Sequence, residues 1–326
     1  MKGNSVLVPR TAREVLMELQ YRFPRSATPY CDAARALGMS ADEVIRALRE
    51  QRRAGILKRV GFYVNYRSER LRAALLAIAA SERVEEIAHK VFSSDPHATH
   101  VYERNHPVYN LWVVTKRPSE AELVELAREV RDRFGADVIL LYGKKTWKLS
   151  VKYDLNKGVS RSGPYWRVSQ APPTPEAYGL RPGQIRLFRS LPVEPHPYRR
   201  IAGKLGLSEE ETARLAWRML EDGALGDPGA ALDGHKAGFR VNIMLTARAP
   251  DPEETCSCMA QNPHTTHVVY RRVYPEGKWR LPCYAMLHAT TRSLAEGLVK
   301  QVVDSCSIEE YFLLESIRDL KPGVVR

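Results

Sequence analysis

The sequence predicts an α+β chain written twice, each copy a helix-turn-helix followed by a β-α-β-β-α-β sheet. Three observations predict it. Residues 95–104, DPHATHVYER, return as NPHTTHVVYR at residues 262–271, so His97, His100 and Arg104 recur as His264, His267 and Arg271 at one constant offset. Residues 37–48, LGMSADEVIRAL, return as LGLSEEETARLA at residues 205–216. The length, 326 residues, suits two or three ordinary domains better than one. A repeat at fixed spacing signals duplicated structural units.

Within the first copy, Gly38 supplies a turn between two short helices. Ser40 is an N-cap with Glu43 three residues on, and Val44, Ile45 and Leu48 form an apolar face that ends at Gly55. The second copy repeats this with Gly206, Ser208, Glu211, Leu215, Trp217, Leu220 and Gly223. Both read as winged helix-turn-helix domains. The periodicity then predicts a strand at 74–79, a helix at 81–92, strands at 99–102 and 109–115, a helix at 120–134 and a strand at 138–142. The second copy follows with 241–246, 252–261, 267–271, 284–288, 291–304 and 309–314. That order is ferredoxin-like. The expected domains are residues 10–60 and 183–235 for the helix-turn-helix pair and 61–155 and 236–326 for the sheets. Residues 156–182, rich in Pro, Gly and Ser, form an irregular linker.

Composition narrows the class. The hydrophobic fraction is 44% and the charged fraction 27%, which excludes a disordered chain or a fibre. No apolar run approaches the roughly 18 residues of a membrane span. The first ten residues lack the apolar core of a secretory signal. These features predict a soluble cytoplasmic protein. Five cysteines, odd in number and unevenly spread, predict reduced thiols. Cys256 and Cys258 sit two apart in a predicted helix and diverge by about 200°, so with His264 and His267 they make a poor metal cluster. The net charge of +12 asks for an anionic partner without naming it.

A helix-turn-helix followed by a ferredoxin-like sheet resembles the Lrp/AsnC family. Particular runs narrow the likeness. YERNHPVYNLWVVT at 102–115 and VVYRRVYPEGKWRLPCYAMLH at 268–288 resemble the two different subunits of the siroheme decarboxylase family. So do KRVGFYVNYR at 58–67 and GAALDGHKAGFRVN at 229–242, where that family passes from wing to sheet. The chain is thus similar to a natural fusion of both subunits. The resemblance implies removal of two acetate carboxylates from siroheme to give didecarboxysiroheme, in the formation of haem or haem d1. It implies no cofactor beyond the substrate's iron. The partners it implies are siroheme and its product. The matched repeats predict an internal pseudo-dimer whose two sheets face each other, with further homodimerisation left open. The copies differ: Lys58 and Arg59 stand where the second has Gly226 and Asp227, and Lys116 stands where it has His288. Equivalent pockets are therefore not expected.

Siroheme carries eight carboxylates, so fixed cations with bidentate geometry are needed to hold it. Arg59, Arg104, Arg271 and Arg272 are the candidates, with solvated sheet-edge residues as the plain alternative. His100, His106, His267 and His288 are candidate proton donors, and His106 and His100 candidate axial ligands to the iron. His97 and His264 follow prolines and read as turn residues. Tyr102, Tyr109, Tyr270 and Trp112 are candidate macrocycle contacts, with core packing as the alternative. A DNA-binding regulator of the Lrp/AsnC type is the rival function, and a haem carrier without turnover a third. Against the regulator, residues 41–51 carry Asp42, Glu43 and Glu50 beside Arg46 and Arg49, and the second copy carries Glu209, Glu210, Glu211, Glu221 and Asp222 beside Arg214 and Arg218, acids that repel phosphate.

Overall fold

Residues 8–321 of the chain are described by the structure, a computed structural model. Part of the N-terminal segment read above for a signal, residues 1–7, and the end of the second sheet domain, 322–326, lie outside them. The first copy runs α1 (Arg10–Tyr21), α2 (Pro29–Leu37), α3 (Ala41–Arg53), β1 (Leu57–Val64), β2 (Arg72–Ile78), α4 (Val84–Ile87), β3 (Ala98–Arg104), β4 (Leu111–Arg117), α5 (Glu120–Phe134) and β5 (Val138–Leu149). After β6 (Lys152–Asp154) and β7 (Val159–Arg161) come α6 (Arg199–Leu205), α7 (Glu209–Glu221) and β8 (Leu225–Leu232). The rest is β9 (Val241–Arg248), α8 (Pro252–Gln261), β10 (His267–Tyr274), β11 (Cys283–Ala289), α9 (Arg292–Ser305) and β12 (Glu310–Asp319). These elements gather into two units. One takes the chain up to Glu69, Leu149–Arg240 and His288–Leu294, the other Arg70–Lys148, Val241–Leu287 and the chain from Ala295.

In the first unit the helix starts follow their sequence signals. Ser40 Oγ accepts from Glu43 N (3.3 Å) while Glu43 Oε2 accepts from Ser40 N (2.8 Å), and Ser208 with Glu211 does the same at 3.2 and 2.8 Å. Each capping box satisfies two helix-end donors. We expect Ser40→Ala and Ser208→Ala each to cost about 1 kcal/mol, read from urea unfolding midpoints. Both helix-turn-helix segments share one core, in which the rings of Phe23, Phe62 and Trp217 meet at 5.9 to 6.3 Å.

The wings of the two copies pair with each other. β1 pairs antiparallel with β8, its counterpart in the other copy, burying Val60, Phe62, Ala230 and Leu232. Gly229 permits the close approach: its φ is +113°, and a Cβ there would lie 2.0 Å from the Leu19 carbonyl oxygen. The segment read as an irregular linker is also folded in part. It contains β7, which pairs with β6, and buries Val159, Ser160 and Leu180. Beneath it, Lys152 is 2% exposed, with Nζ 3.1 Å from Asp227 Oδ1 and donating to Pro228 O at 2.9 Å.

The second unit is an eight-stranded antiparallel barrel. Its strand order is β10-β5-β2-β4-β3-β12-β9-β11, closed by pairing of β11 with β10. Each copy supplies four neighbouring strands, β5-β2-β4-β3 and β12-β9-β11-β10, so the copies join at both edges. Two sheets merely facing each other would leave four unpaired edges, and closure removes them. Side chains of both copies fill the interior: Leu75, Ala77, Trp112, Ile139, Leu141, Met244, Tyr284 and Leu314. The helix expected at 81–92 is broken into a 3-10 turn, α4 and a π turn over Ala88–Phe92. Ile87 and Phe92 are both buried across this irregular turn.

The expectation of reduced thiols is overturned. Cys256 is bonded to Cys283 and Cys258 to Cys306, each with 5.6 Å between Cα atoms. The divergence of Cys256 and Cys258 holds: each reaches a different element from α8. Cys31 is free.

Candidate functional site at the histidine end of the barrel

Strand alternation decides which side chains enter the barrel. His100 is registered with Val114 and Tyr102 with Trp112, while Val269 is registered with Tyr284. Those partners pack in or against the interior cluster. One face therefore carries His100, Tyr102 and Arg104 on β3, and His267, Val269 and Arg271 on β10. Arg271 reaches Leu141 on β5, whereas the turn before β10 reaches Lys148 farther along it, so β10 runs antiparallel to β5. Following the antiparallel pairs round to β3, β3 and β10 point the same way. His100 and His267 thus lie toward one end, and Arg104 and Arg271 toward the other.

The two histidines have the same support. Thr99 Oγ1 donates to Val114 O (3.4 Å) and lies 3.0 Å from His100 Nδ1. Thr266 Oγ1 donates to Met286 O (3.2 Å) and lies 3.4 Å from His267 Nδ1. Each threonine hydroxyl is thus shared between a main-chain carbonyl and the Nδ1 edge of the histidine that follows it. Such a partner orients the ring. Thr99 is the residue that the β3–β4 register skips, a bulge that re-aims the side chain after it. Sequence reasoning missed both threonines, although the Thr-His dipeptide stands in both repeats.

His106 is built differently. Its Nδ1 accepts from Val108 N (3.2 Å) and Tyr109 N (2.9 Å), which places the proton on Nε2. The rings of Phe312, Trp279 and Tyr109 surround it at 5.2, 5.4 and 5.6 Å, and burial holds its pKa below the usual 6.5. That neutral tautomer is a hydrogen-bond donor and offers no lone pair to iron. Tyr109 donates its hydroxyl to Asp137 Oδ2 (2.9 Å), and burial together with that carboxylate pushes its pKa up to about 12. Trp112 Nε1 donates to Tyr109 O (2.6 Å).

The arginines serve the seams of the barrel. Arg104, 4% exposed, donates from Nη1 to Leu314 O (2.7 Å) and lies 5.2 Å over the Tyr102 ring. Burial lowers its pKa to about 10. Arg271 donates to Leu141 O (3.0 Å) and lies 5.2 Å over Tyr284. Each arginine thus spans to the last strand of the other copy. Arg272 pairs with Glu120 (2.8 Å) over the Tyr142 ring, and Lys144 lies over Tyr270 at 4.8 Å, so Tyr270 and Arg272 are on the opposite face of β10. His97 and His264 are turn residues whose backbone N–H groups each reach the side chain two residues back, Asp95 or Asn262, at 2.9 Å.

Two predicted site residues belong to the first unit. Arg59, 6% exposed, donates from Nη1 to Arg189 O (3.0 Å), and burial lowers its pKa to about 10, with the Arg189 charge adding. His288, 8% exposed, donates its backbone N–H to Ser160 Oγ (2.9 Å) and has the Tyr153 ring 5.5 Å away.

Comparison with known proteins places these features in a family. The sequence matches the AsnC-like ligand binding domain over residues 71–148 and 236–321, half of the chain. It matches the siroheme decarboxylase NirDL-like HTH domain over residues 12–57 and 187–225. The siroheme decarboxylase NirD subunit of Pseudomonas aeruginosa is 31% identical over 146 residues, 44% of this chain and 95% of that protein. This chain belongs to the siroheme decarboxylase family. A siroheme decarboxylase of Hydrogenobacter thermophilus is 25% identical over 94% of this chain and 92% of its own length, so the likeness covers both copies. The Paracoccus denitrificans siroheme decarboxylase NirDL subunit is 28% identical over 86% and 84%. In fold, the chain is similar to the crystal structure of siroheme decarboxylase NirDL, with a TM-score of 0.63 at 22% identity over 96% of this chain and 92% of that one. A second structure of NirDL, in complex with an iron-uroporphyrin III analogue, gives 0.62. No described helix is long and apolar enough to cross a membrane.

Proposed function

We propose that this chain is a carboxy-lyase that removes two acetate carboxylates from siroheme to give didecarboxysiroheme, in the cytoplasm, on a route to haem or haem d1. Its architecture is read as two winged helix-turn-helix segments with two ferredoxin-like sheets, the sheets forming an internal pseudo-dimer. The observation that carries the reading is the Thr-His pair, built twice and brought to one end of the barrel. In each event the carbon-carbon bond to the carboxylate breaks and carbon dioxide leaves. The electron pair stays on the exocyclic carbon, delocalised into the macrocycle, until a proton converts the acetate to a methyl group. No net oxidation occurs, so no cofactor beyond the substrate's iron is required.

His267 is the proton donor, from Nε2 of its protonated form, with Nδ1 held by Thr266. His100, oriented by Thr99 in the same way, is assigned to the substrate iron. The donor tautomer of His106 supports a role at the opposite, aromatic end instead. Arg104 and Arg271 line the same barrel face and are assigned to substrate carboxylates alongside their main-chain contacts. The test is anaerobic incubation with siroheme and mass analysis of the tetrapyrrole. Stepwise loss of two carbon dioxide molecules is the expected result, and unchanged siroheme would favour a carrier.

The regulator reading has less support. Glu43 and Glu211 are committed to capping boxes, and β1 and β8 are paired with each other rather than presented as separate wings. Weak, salt-sensitive and sequence-indifferent DNA binding is the expected result of titrating duplexes at physiological salt. Nanomolar affinity for one operator would overturn that.

A further inference from the structure

Lys148 lies at the end of β5 and is 1% exposed. Its Nζ donates to Asn262 O at 2.7 Å and to Thr265 Oγ1 at 3.3 Å. Thr265 Oγ1 also lies 2.8 Å from Met259 O and 3.0 Å from Asn262 O, and Asn262 Oδ1 accepts from His264 N at 2.9 Å. The lysine of one copy therefore ties together the end of α8 and the turn that begins β10 in the other. Thr265 and Thr266 are fully buried, and His267 follows directly.

A related contact, made by a half-buried lysine, occurs in the other copy. Lys321 stands seven residues after Leu314, as Lys148 stands seven after Leu141. Its Nζ donates to Phe92 O (2.7 Å) and Asp95 O (2.5 Å), in the turn before His100. Asp95 and Asn262 are equivalent positions of the repeat. A long cationic side chain buried to hold main-chain oxygens gives up hydration and rotamer freedom, a cost that an exposed lysine avoids. Recurrence at the same place in both copies marks a specific task.

We infer that Lys148 is a positioning residue for the proton donor: by fixing the Asn262–Thr265 turn from the other copy it sets the Thr266–His267 pair, as Lys321 does for Thr99–His100. This rests on the decarboxylase reading, and it makes each copy complete the histidine strand of its partner copy. A displacement of about 1 Å at a reacting group costs on the order of 100-fold in rate, so a turn-holding residue can act strongly without touching substrate.

The test compares Lys148→Met, Lys148→Arg and His267→Ala, singly and as Lys148→Met with His267→Ala, in the full chain. Lys148→Met is expected to lower kcat on the order of 10-fold to 100-fold, while siroheme affinity by optical titration changes less than about 3-fold. Lys148→Arg, which keeps a buried donor, is expected to restore part of the rate. In the His267→Ala background the Lys148→Met change is expected to cost under about 2-fold more, since both act through one group. Full additivity, or an unchanged kcat in folded Lys148→Met, overturns the inference. The His267 imidazole resonances give a readout independent of turnover. They are expected to shift in Lys148→Arg as well as in Lys148→Met, and unmoved resonances in a folded variant also overturn it. If the unmodified chain leaves siroheme unchanged while those resonances do shift, the decarboxylase reading fails and the positioning contact stands.

Discussion

His267→Ala is expected to lower the decarboxylation rate on the order of 100-fold to 10,000-fold, with siroheme binding nearly unchanged. Many contacts share the work of holding an eight-carboxylate macrocycle, whereas a proton must reach one exocyclic carbon from one direction. The Nδ1 contact with Thr266 Oγ1, itself donating to Met286 O, holds the ring so that Nε2 is the working atom. Thr266→Val keeps the shape and removes the hydroxyl, and a smaller loss in the same direction is expected. Single-turnover kinetics under anaerobic conditions, with an optical titration for affinity, separate the two effects. His288→Ala in parallel tests the alternative donor from the first unit, and His100→Ala the residue assigned to the iron. An unchanged rate in His267→Ala would move the donor to one of those or to water.

Asp227→Ala is expected to destabilise the first unit by roughly 3 to 5 kcal/mol, because it leaves a buried ammonium without its carboxylate. Lys152 is buried beside Asp227, and the same carboxylate accepts from Ser150 Oγ (2.6 Å) and Val151 N (3.2 Å). One substitution therefore orphans several groups at once. Urea unfolding at neutral pH checks the figure. Lys152→Met combined with Asp227→Ala should recover part of the loss by removing the uncompensated charge, and a loss in the single variant below about 1 kcal/mol would show that water replaces the carboxylate. This pair also explains why the second copy has Asp227 where the first has Arg59: the aspartate serves the neighbouring Lys152.

The features legible in the sequence are local or repeated. Gly38, Ser40 and Glu43 mark a helix boundary because turn and cap chemistry acts within four residues. The segments 120–134 and 252–261 match their helices for the same reason. The duplication by itself singles out His100 and His267. Other features depend on residues far apart. Barrel closure joins β3 to β12 and β10 to β5, Cys256 finds Cys283 across 27 residues, and Lys148 finds Asn262 across 114. None of these pairings leaves a periodic trace. The first helix, Arg10–Tyr21, does carry apolar spacing at Ala12, Val15, Leu16 and Leu19, but Pro9 at its start supplies no side-chain cap to announce it. Arg104 and Arg271 stand out in the sequence as candidate substrate clamps, but their contacts to main-chain carbonyls across the seams are not legible there, because charge alone does not name a partner. The protonation of His106 is equally hidden, being set by two backbone N–H groups in its own turn.

The most direct measurement of the account is the position of siroheme, or of an iron-uroporphyrin analogue, in a crystal structure of the complex. The expected result places the macrocycle at the His100 and His267 end of the barrel, with an acetate carbon within reach of His267 Nε2. A macrocycle seated against His106 and Trp279, out of reach of His267, would contradict it.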